Sequence, residues 1–336
     1  MEWHGVEIEV QIPCAEGQTH PVRLRCTGWG KFEVVYNPCE ELLGEVFARM
    51  ARCTHYLHEE FPKAFRKDTD LKKHLVEALG AKGAPAVPVL IKALGDWSVR
   101  KAAVEALVNI GSPAMPALLQ ALGDSDWDVR HAAAEALGEL GDPQAVPALI
   151  EALGKGKTED LDLYNLLLIE EYDFRCAAAE ALGKLGDPQA VPALIEALGD
   201  RKENLRCVAA QALGAIGDLQ AVPALIQALE DREWKVCRAA AEALGKLGDP
   251  QAVPALIEAL GKGKAEDSYF LLVLLGGSWE SVYDFRRAVA EALGKLGDPQ
   301  AVPALIQALG DSDWDVRHAA AEALGKLGDP QAVPAL

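Results

Sequence analysis

The sequence predicts a mostly α-helical protein whose helix pairs repeat about every 31 residues and stack into an α-solenoid. The phrase Asp-Pro-Gln-Ala-Val-Pro-Ala-Leu recurs five times, and a sixth copy has leucine in place of the first proline. Successive copies lie 31 residues apart wherever no insertion intervenes. A fixed period of about 20–50 residues that holds two helical segments is typical of a solenoid. The copies begin at Asp142, Asp187, Asp218, Asp249, Asp298 and Asp329.

Residues 1–37 lie outside this repeat. Apolar and polar residues alternate along residues 6–12, 22–26 and 32–36, which is the period of a β-strand. We therefore expect a small antiparallel β-meander of about three strands, followed by a helix with one apolar face. Repeat arrays need their terminal faces covered, so we interpret residues 1–67 as an N-terminal cap made of this meander and helix.

The recurring phrase predicts the first helix of each repeat. Asp142 can accept hydrogen bonds from the free amides of the first turn. Pro143 suits the first helical position, because its missing N–H costs nothing there. Pro147 lies one turn later and should tighten or bend the start of the helix, which Gly154 should end.

The second helix follows a Gly-Asp turn in the shorter repeats. After Gly123, apolar residues recur at helical spacing, and many are alanines, whose small side chains let neighbouring helices approach closely. Gly141 should then provide a left-handed exit from the helix. The predicted buried stripe is Val129, Ala132, Ala133, Ala136, Leu137 and Leu140.

These phrases resemble HEAT-like repeats of the short, alanine-rich type found in phycobilisome-lyase-type proteins and in designed HEAT-like arrays. The matching phrases are Asp-Pro-Gln-Ala-Val-Pro-Ala-Leu-Ile and Asp-Val-Arg-(x)-Ala-Ala-Ala-Glu-Ala-Leu-Gly. The resemblance covers residues 68–336, which we interpret as one repeat domain that is cut in mid-repeat at its C-terminus. It implies a right-handed α-solenoid of HEAT-like helix pairs. Repeats of this family serve mostly as binding scaffolds, and the fold does not by itself define an activity.

Two repeats carry insertions between their first and second helices, at residues 154–171 and 261–282. Both open with Gly-Lys-Gly-Lys, become strongly apolar, and rejoin the repeat through Tyr-Asp-Phe-Arg. Exposed apolar runs mark partner sites, so we expect partner contact there, with local packing on the same repeat as the alternative. The predicted contact residues are Leu163, Tyr164, Leu167, Ile169, Tyr269, Phe270, Leu272, Leu274 and Trp279.

One face of the second helices combines an aromatic, a variable and an acidic position at i, i+4 and i+8. The resemblance places second helices on the concave side of the array, so we expect this second-helix stripe to bind a partner. The alternative is that the aromatics pack on neighbouring turns and the glutamates are solvated. The predicted binding residues are Trp97, Trp127, His131, Glu135, Tyr172, Cys176, Cys207, Trp234, Arg238, Tyr283, Arg287, Trp314 and His318.

An arginine column on the second helices is interpreted as structural. In most repeats an aspartate stands two residues before the arginine, and Asp–Arg ladders can tie one repeat to the next. Cys237 breaks the column. Its members are Arg100, Arg130, Arg175, Arg206, Arg286 and Arg317.

The net charge of -18 and the pI near 4.8 oppose binding to nucleic acid and suit a basic or amphipathic protein partner. Seven cysteines without a C-x-x-C pair and without an export signal favour reduced thiols in the cytoplasm. We predict no bound metal, because the group around Cys53, His55 and His58 lacks the paired spacing of zinc sites. No catalytic motif is found, and no run is long enough to span a bilayer.

We therefore predict a non-enzymatic interaction scaffold that needs no cofactor. The alternative is a bilin lyase or chromophore-handling subunit, in which Cys176 or Cys207 would line a tetrapyrrole pocket. A nucleic-acid-binding solenoid is the weaker third hypothesis. A homodimer could also form through the open C-terminal end of the array.

Overall fold

The protein is described from a computed structural model. The chain divides into two compact units, Met1–Ala148 and Leu149–Leu336. The structure describes Val76 and residues 79–154, 174–261 and 279–330, together with the backbone of residues 7–13, 19–28 and 31–36.

The N-terminal strands form a three-stranded antiparallel sheet in the order β1-β2-β3. Val10 of β1 lies opposite Val22 of β2, and Leu24 of β2 lies opposite Val34 of β3. The register between β2 and β3 shifts at two places along the pair. The strands are β1 (Glu7–Pro13), β2 (Thr19–Gly28) and β3 (Lys31–Tyr36). The helix and the rest of the cap predicted up to residue 67 lie outside the described residues.

The rest of the described chain is helical and alternates between short first helices and longer second helices. The first helices are α1 (Val87–Ala93), α3 (Met115–Ala121), α5 (Val146–Gly154), α7 (Val191–Ala197), α9 (Val222–Ala228), α11 (Val253–Gly261) and α13 (Val302–Ala308). The second helices are α2 (Arg100–Ile110), α4 (Trp127–Leu140), α6 (Phe174–Leu185), α8 (Glu203–Ile216), α10 (Trp234–Leu247), α12 (Trp279–Leu296) and α14 (Trp314–Leu327).

Each first helix starts with a separate 3-10 turn. Asp142 caps it as expected, since its carboxylate accepts the amide of Gln144 at 3.0 Å. The turn then closes through short-range bonds, from the Ala145 N–H to the Asp142 carbonyl and from the Val146 N–H to the Pro143 carbonyl. Pro147 has no N–H to donate to the carbonyl of Pro143, so the α-helical pattern cannot run back through this turn. At the place where the sequence predicts a tightened or bent start, the structure therefore changes from a 3-10 helix (Pro143–Ala145) to an α-helix (Val146–Gly154).

Successive second helices pack directly on one another, α2 on α4 in the first unit and α6 through α14 in the second. Glycine and alanine allow this close approach. A Cβ built on Gly214 of α8 would lie 2.7 Å from both Cα and Cβ of Ala243 in α10. Gly217 then ends α8 in the left-handed conformation, with φ of 80°. The core between the layers is formed by alanines and leucines such as Leu213, which is fully buried.

The two insertions lie largely outside the described residues, at 155–173 and 262–278. One boundary differs from the sequence prediction. The sequence pattern places residues 279–282 in the second insertion, but α12 begins at Trp279 and runs to Leu296. Residues 279–282 form the first turn of this helix, and Val282 is fully buried as part of it.

Candidate functional site

The aromatic positions of the second-helix stripe supply most of the exposed large apolar side chains in the described part of the chain. Trp97 is 81% exposed, Trp314 is 62% exposed and Trp127 is 40% exposed, and Leu219 is the fourth such residue. Trp127 and Trp314 are the first residues of α4 and α14, and each side chain is exposed although the valine two residues on, Val129 or Val316, is buried. Indole rings in such a position are typical anchors for a partner.

Trp234 occupies the same aromatic position but has a local partner. Its ring centroid lies 5.5 Å from that of Phe285 in the following repeat, and Trp234 is half-buried. For this residue the packing alternative applies. Trp314 contacts its own helix, since its ring centroid lies 5.1 Å from that of His318, and both side chains remain exposed.

The variable position of the stripe is not uniformly accessible. His131, Arg238 and Arg287 are half-buried, whereas Cys176 is fully buried. The prediction that Cys176 lies on a binding surface is therefore wrong. Cys207 has the same side chain at the same position and is half-buried, so the residues packed around each repeat, and not the length of the thiol, set this difference.

Cys207 is the partly accessible thiol of the stripe. Gln211 donates to its sulfur at 3.9 Å, and the thiol itself donates to the carbonyl of Lys235 at 3.8 Å. Burial raises the pKa of this thiol above its usual value, and the nearby charge of Arg238 offsets this only in part. The site therefore favours a neutral thiol over a reactive thiolate.

In the second unit the acidic positions of the stripe are engaged in ion pairs. Arg238 lies 3.6 Å from Glu242 and 3.5 Å from Asp284 of the next second helix. Arg287 in turn lies 3.2 Å from Asp284 and 3.8 Å from Glu291. Exposed pairs of this kind contribute about 0–1 kcal/mol each, so they chiefly orient side chains. This face of the second unit is mixed in charge rather than uniformly acidic.

The arginine column joins successive repeats, which confirms its structural role, but through a different aspartate from the one expected. Arg175 donates to Asp200 at 2.9 Å, and Arg206 forms a two-pronged contact with Asp231 at 2.7 and 2.8 Å. In both pairs the aspartate lies 25 residues further on, in the turn of the next repeat. Both arginines are buried, as is usual for a charge with a fixed partner.

Two further pairs complete the described ladder. Arg286 pairs with Asp311, again a turn aspartate, and also donates to the carbonyl of Leu260 at 3.2 Å. Arg100 pairs with Asp128, which does stand two residues before the next arginine. The predicted Asp–Arg spacing thus holds for one of these four pairs, and the turn between the first and second helix supplies the other three aspartates, Asp200, Asp231 and Asp311.

The ladder lowers the pKa of Asp200 and of Asp231. For Asp231, partial burial opposes ionisation, but the hydrogen bond from Arg206 and the N–H of Glu233 outweigh it. For Asp200, burial is likewise outweighed by the N–H of Lys202 and the charge and hydrogen bond of Arg175. Both carboxyl pKa values therefore lie below the usual range, because the charged form of each carboxyl group is stabilised by its arginine and by a backbone N–H.

Several predicted site residues lie outside the described residues. They are Tyr172, Leu163, Tyr164, Leu167, Ile169, Tyr269, Phe270, Leu272 and Leu274. Trp279 is helical, and its backbone begins α12. Glu135 and Tyr283 are half-buried.

The same described ranges bear on metal binding and on membrane insertion. Within them, no three His, Cys, Asp or Glu side chains come together in an arrangement that could hold a metal ion. No single described helix has the length and apolar character needed to cross a bilayer. One pair bent by 115°, Arg100–Ile110 with Ser112–Ala121, meets those two criteria together.

Comparison with known families agrees with this repeated helix-pair architecture. A family model described as HEAT repeats matches residues 63–119, 95–162, 194–268 and 280–336, which together cover more than half of the chain. A second model, the PBS lyase HEAT-like repeat, matches residues 174–200. The fold is that of an α-helical repeat protein, and the chain belongs to the HEAT repeat family.

Solved structures show the same resemblance. The complex of CpcE and CpcF of phycocyanin lyase from Nostoc sp. PCC7120 is 29% identical, with 65% of this chain and 78% of that chain covered and a TM-score of 0.43. A mutant of Kap121p is 13% identical, with 88% of this chain and 35% of that chain covered and a TM-score of 0.52. The second likeness concerns the fold alone. No curated protein matches the chain.

Proposed function

We propose that this protein is a non-enzymatic interaction scaffold that binds a protein partner through the second-helix stripe. The observation that carries the proposal is the exposure of Trp97, Trp127 and Trp314 at one recurring position. Trp234 shows that a neighbouring repeat can cover this position when it offers an aromatic ring. Tryptophans that stay exposed at this position are expected to bury their rings against a partner instead, as interface anchors do.

The insertions belong to the same proposal. Their apolar runs would extend the contact area beyond the stripe, and the net charge of -18 favours a basic or amphipathic partner. The scaffold would act in the cytoplasm, with its thiols reduced and without a cofactor. The right-handed superhelix, the capping role of residues 1–67 and a homodimer through the C-terminal repeats stay predictions.

The test is quantitative binding to a purified partner that has been captured from the source cells and identified. The first variant combines Trp97→Ala with Trp314→Ala and His318→Ala, all exposed positions of the stripe. The loss of two tryptophan anchors should weaken binding at least about 30-fold, since hot-spot truncations cost about 2 kcal/mol or more.

The matched control changes three exposed glutamines of the first helices, Gln120→Ala, Gln227→Ala and Gln307→Ala. This variant should bind within about twofold of the unaltered protein. A further variant that lacks residues 155–170 and 262–278 leaves α12 intact and tests the insertions. If the glutamine variant loses as much affinity as the stripe variant, the stripe is not the binding surface.

A second candidate function is bilin handling, which is favoured by the PBS lyase HEAT-like match at residues 174–200. Cys176 lies in that match but is buried, so Cys207 would be the thiol available to a tetrapyrrole. Titration with phycocyanobilin should then give a saturable change in visible absorbance that Cys207→Ser abolishes. An unchanged bilin spectrum would exclude this function.

A further inference from the structure

The turns that lead into α8 and α10 are basic, although the chain as a whole is acidic. Arg201 and Arg232 directly follow the aspartates that open these turns, and both arginine side chains are exposed. The four residues after the opening aspartate carry one net positive charge in each case, at 201–204 and at 232–235. At the same four positions the repeats that contain α4 and α14 have Ser-Asp-Trp-Asp, with two negative charges.

The basic and the acidic turns share one backbone hydrogen bond, so they differ in charge while this bond is kept. In each turn the N–H two residues after the opening aspartate donates to the carboxylate of that aspartate, at 2.9 or 3.0 Å. The donors and acceptors are Lys202 to Asp200, Glu233 to Asp231, Asp126 to Asp124 and Asp313 to Asp311.

The two basic turns are in direct contact and form one surface. Nη2 of Arg232 donates to the carbonyl of Arg201 at 3.3 Å, and Lys235 lies 3.4 Å from Glu203. The opening aspartates are paired with the arginine ladder. Within the described residues no carboxylate forms an ion pair with Arg201 or Arg232. Glu233 offsets part of the positive charge, and a surplus of two charges remains over the eight positions.

We infer that this Arg201–Arg232 surface binds an acidic segment of a partner protein. The inference rests on the proposed scaffold function and adds to it a contact outside the second-helix stripe. A planar guanidinium group matches a carboxylate through two parallel hydrogen bonds. Packed helices lie about 8–10 Å apart and an extended chain advances about 3.3 Å per residue, so carboxylates three residues apart span the two turns.

A protein segment fits this surface better than a nucleic acid does. Residues 312–315 of the same unit carry two negative charges, and the whole chain has a net charge of -18. A nucleic acid carries one negative charge per nucleotide along its whole length and would be repelled by this acidic surface. A short acidic segment can place its few carboxylates within the basic turns alone.

The experiment titrates the full chain into fluorescein-labelled nona-glutamate at about 0.15 M salt, where surface charges are screened beyond about 8 Å. Arg201→Ser with Arg232→Ser gives both turns the serine of the acidic turns. This variant should bind about 3- to 10-fold more weakly, the effect of losing two exposed charge pairs. Lys82→Ser with Lys92→Ser removes the same charge at exposed positions of the other unit and should change binding less than about twofold.

Two further arms complete the test. Helical circular dichroism checks that both variants are folded, and labelled nona-thymidylate should bind more weakly than nona-glutamate. No binding of nona-glutamate, equal affinities of the two variants for it, or tighter binding of nona-thymidylate would overturn the inference. If one of these results is found while the stripe variant loses its captured partner, the scaffold function stands and the acidic contact alone is rejected.

Discussion

Replacing Gly214 with alanine tests how closely the second helices approach each other. Alanine in place of glycine inside a helix ordinarily stabilises by about 0.8–1 kcal/mol. At Gly214, however, the new methyl group would lie 2.7 Å from Cα and Cβ of Ala243, well inside van der Waals contact. Overpacking of this kind costs about 1–3 kcal/mol, because the helices must move apart or distort. The net expectation is therefore a loss of about 0–2 kcal/mol.

The chain contains a control at the equivalent place of its last described second helix. Gly325 in α14 is exposed, and a Cβ built on it meets nothing within 4 Å. Gly325→Ala should therefore keep the propensity gain of up to about 1 kcal/mol without the steric cost. The difference between the two variants isolates the clash and should amount to about 1–3 kcal/mol.

The assay combines guanidinium chloride unfolding, followed by helical circular dichroism, with hydrogen exchange of the amides in α8 and α10. Hydrogen exchange is needed because repeat proteins can unfold locally, and a single unfolding free energy then averages over repeats. Gly214→Ala should accelerate exchange in these two helices. If both glycine variants are stabilised to the same extent, α8 and α10 do not pack as closely as described.

Further expectations concern acid, capping and thiol reactivity. Asp200 and Asp231 have pKa values lowered below their ordinary value of 3.8, so their stabilisation is present above that value and is lost as the pH falls through the lower folded values. A variant with both changed to asparagine should therefore lose less stability between about pH 5 and pH 3 than the unaltered chain does. Asp187→Ala removes the acceptor of the Gln189 amide and should lower the free energy of unfolding, measured by thermal denaturation, by about 1 kcal/mol. In iodoacetamide labelling mapped by mass spectrometry, Cys207 should react slowly, and Cys176 only after unfolding; rapid labelling of Cys176 would contradict its burial.

The helix pairs could be predicted from the sequence because period, capping and helical spacing are local properties. Asp142, for example, caps its turn as its position next to Pro143 indicates. The 3-10 start of the first helices has a local cause as well, because Pro147 has no N–H and its α-helical bond to the carbonyl of Pro143 cannot form. The copy that has Leu219 in place of the first proline forms the same 3-10 turn, so the second proline alone accounts for it.

The candidate site was harder to predict, because its chemistry depends on pairs from different repeats. Trp97 and Trp234 occupy one position of the repeat, yet Trp234 meets Phe285 while Trp97 remains 81% exposed. Comparing the residues at one position of successive repeats shows which side chain each repeat carries there. It does not show which side chain of the next repeat packs against it. Cys176 is the converse case, since its position indicated a surface but its side chain is fully buried, whereas Cys207 at the same position is half-buried.

Cys237 stands in place of an arginine that would make two kinds of bond, one within its own turn and one to the next repeat. Arg206 bonds the carbonyl of Asp200 in its own turn at 3.0 Å and the carboxylate of Asp231 in the next. Cys237 keeps the bond within its own turn, since its thiol donates to the carbonyl of Asp231 at 3.1 Å. For the bond to the next repeat, the residue 25 positions on is Lys262 rather than an aspartate. Arg130 precedes the first insertion in the same way, with Lys155 at that distance, and this half-buried arginine bonds the carbonyls of Asp124 and Ser125 in its own turn. Cys237 keeps the bond within its own turn without burying a charge that would need a carboxylate.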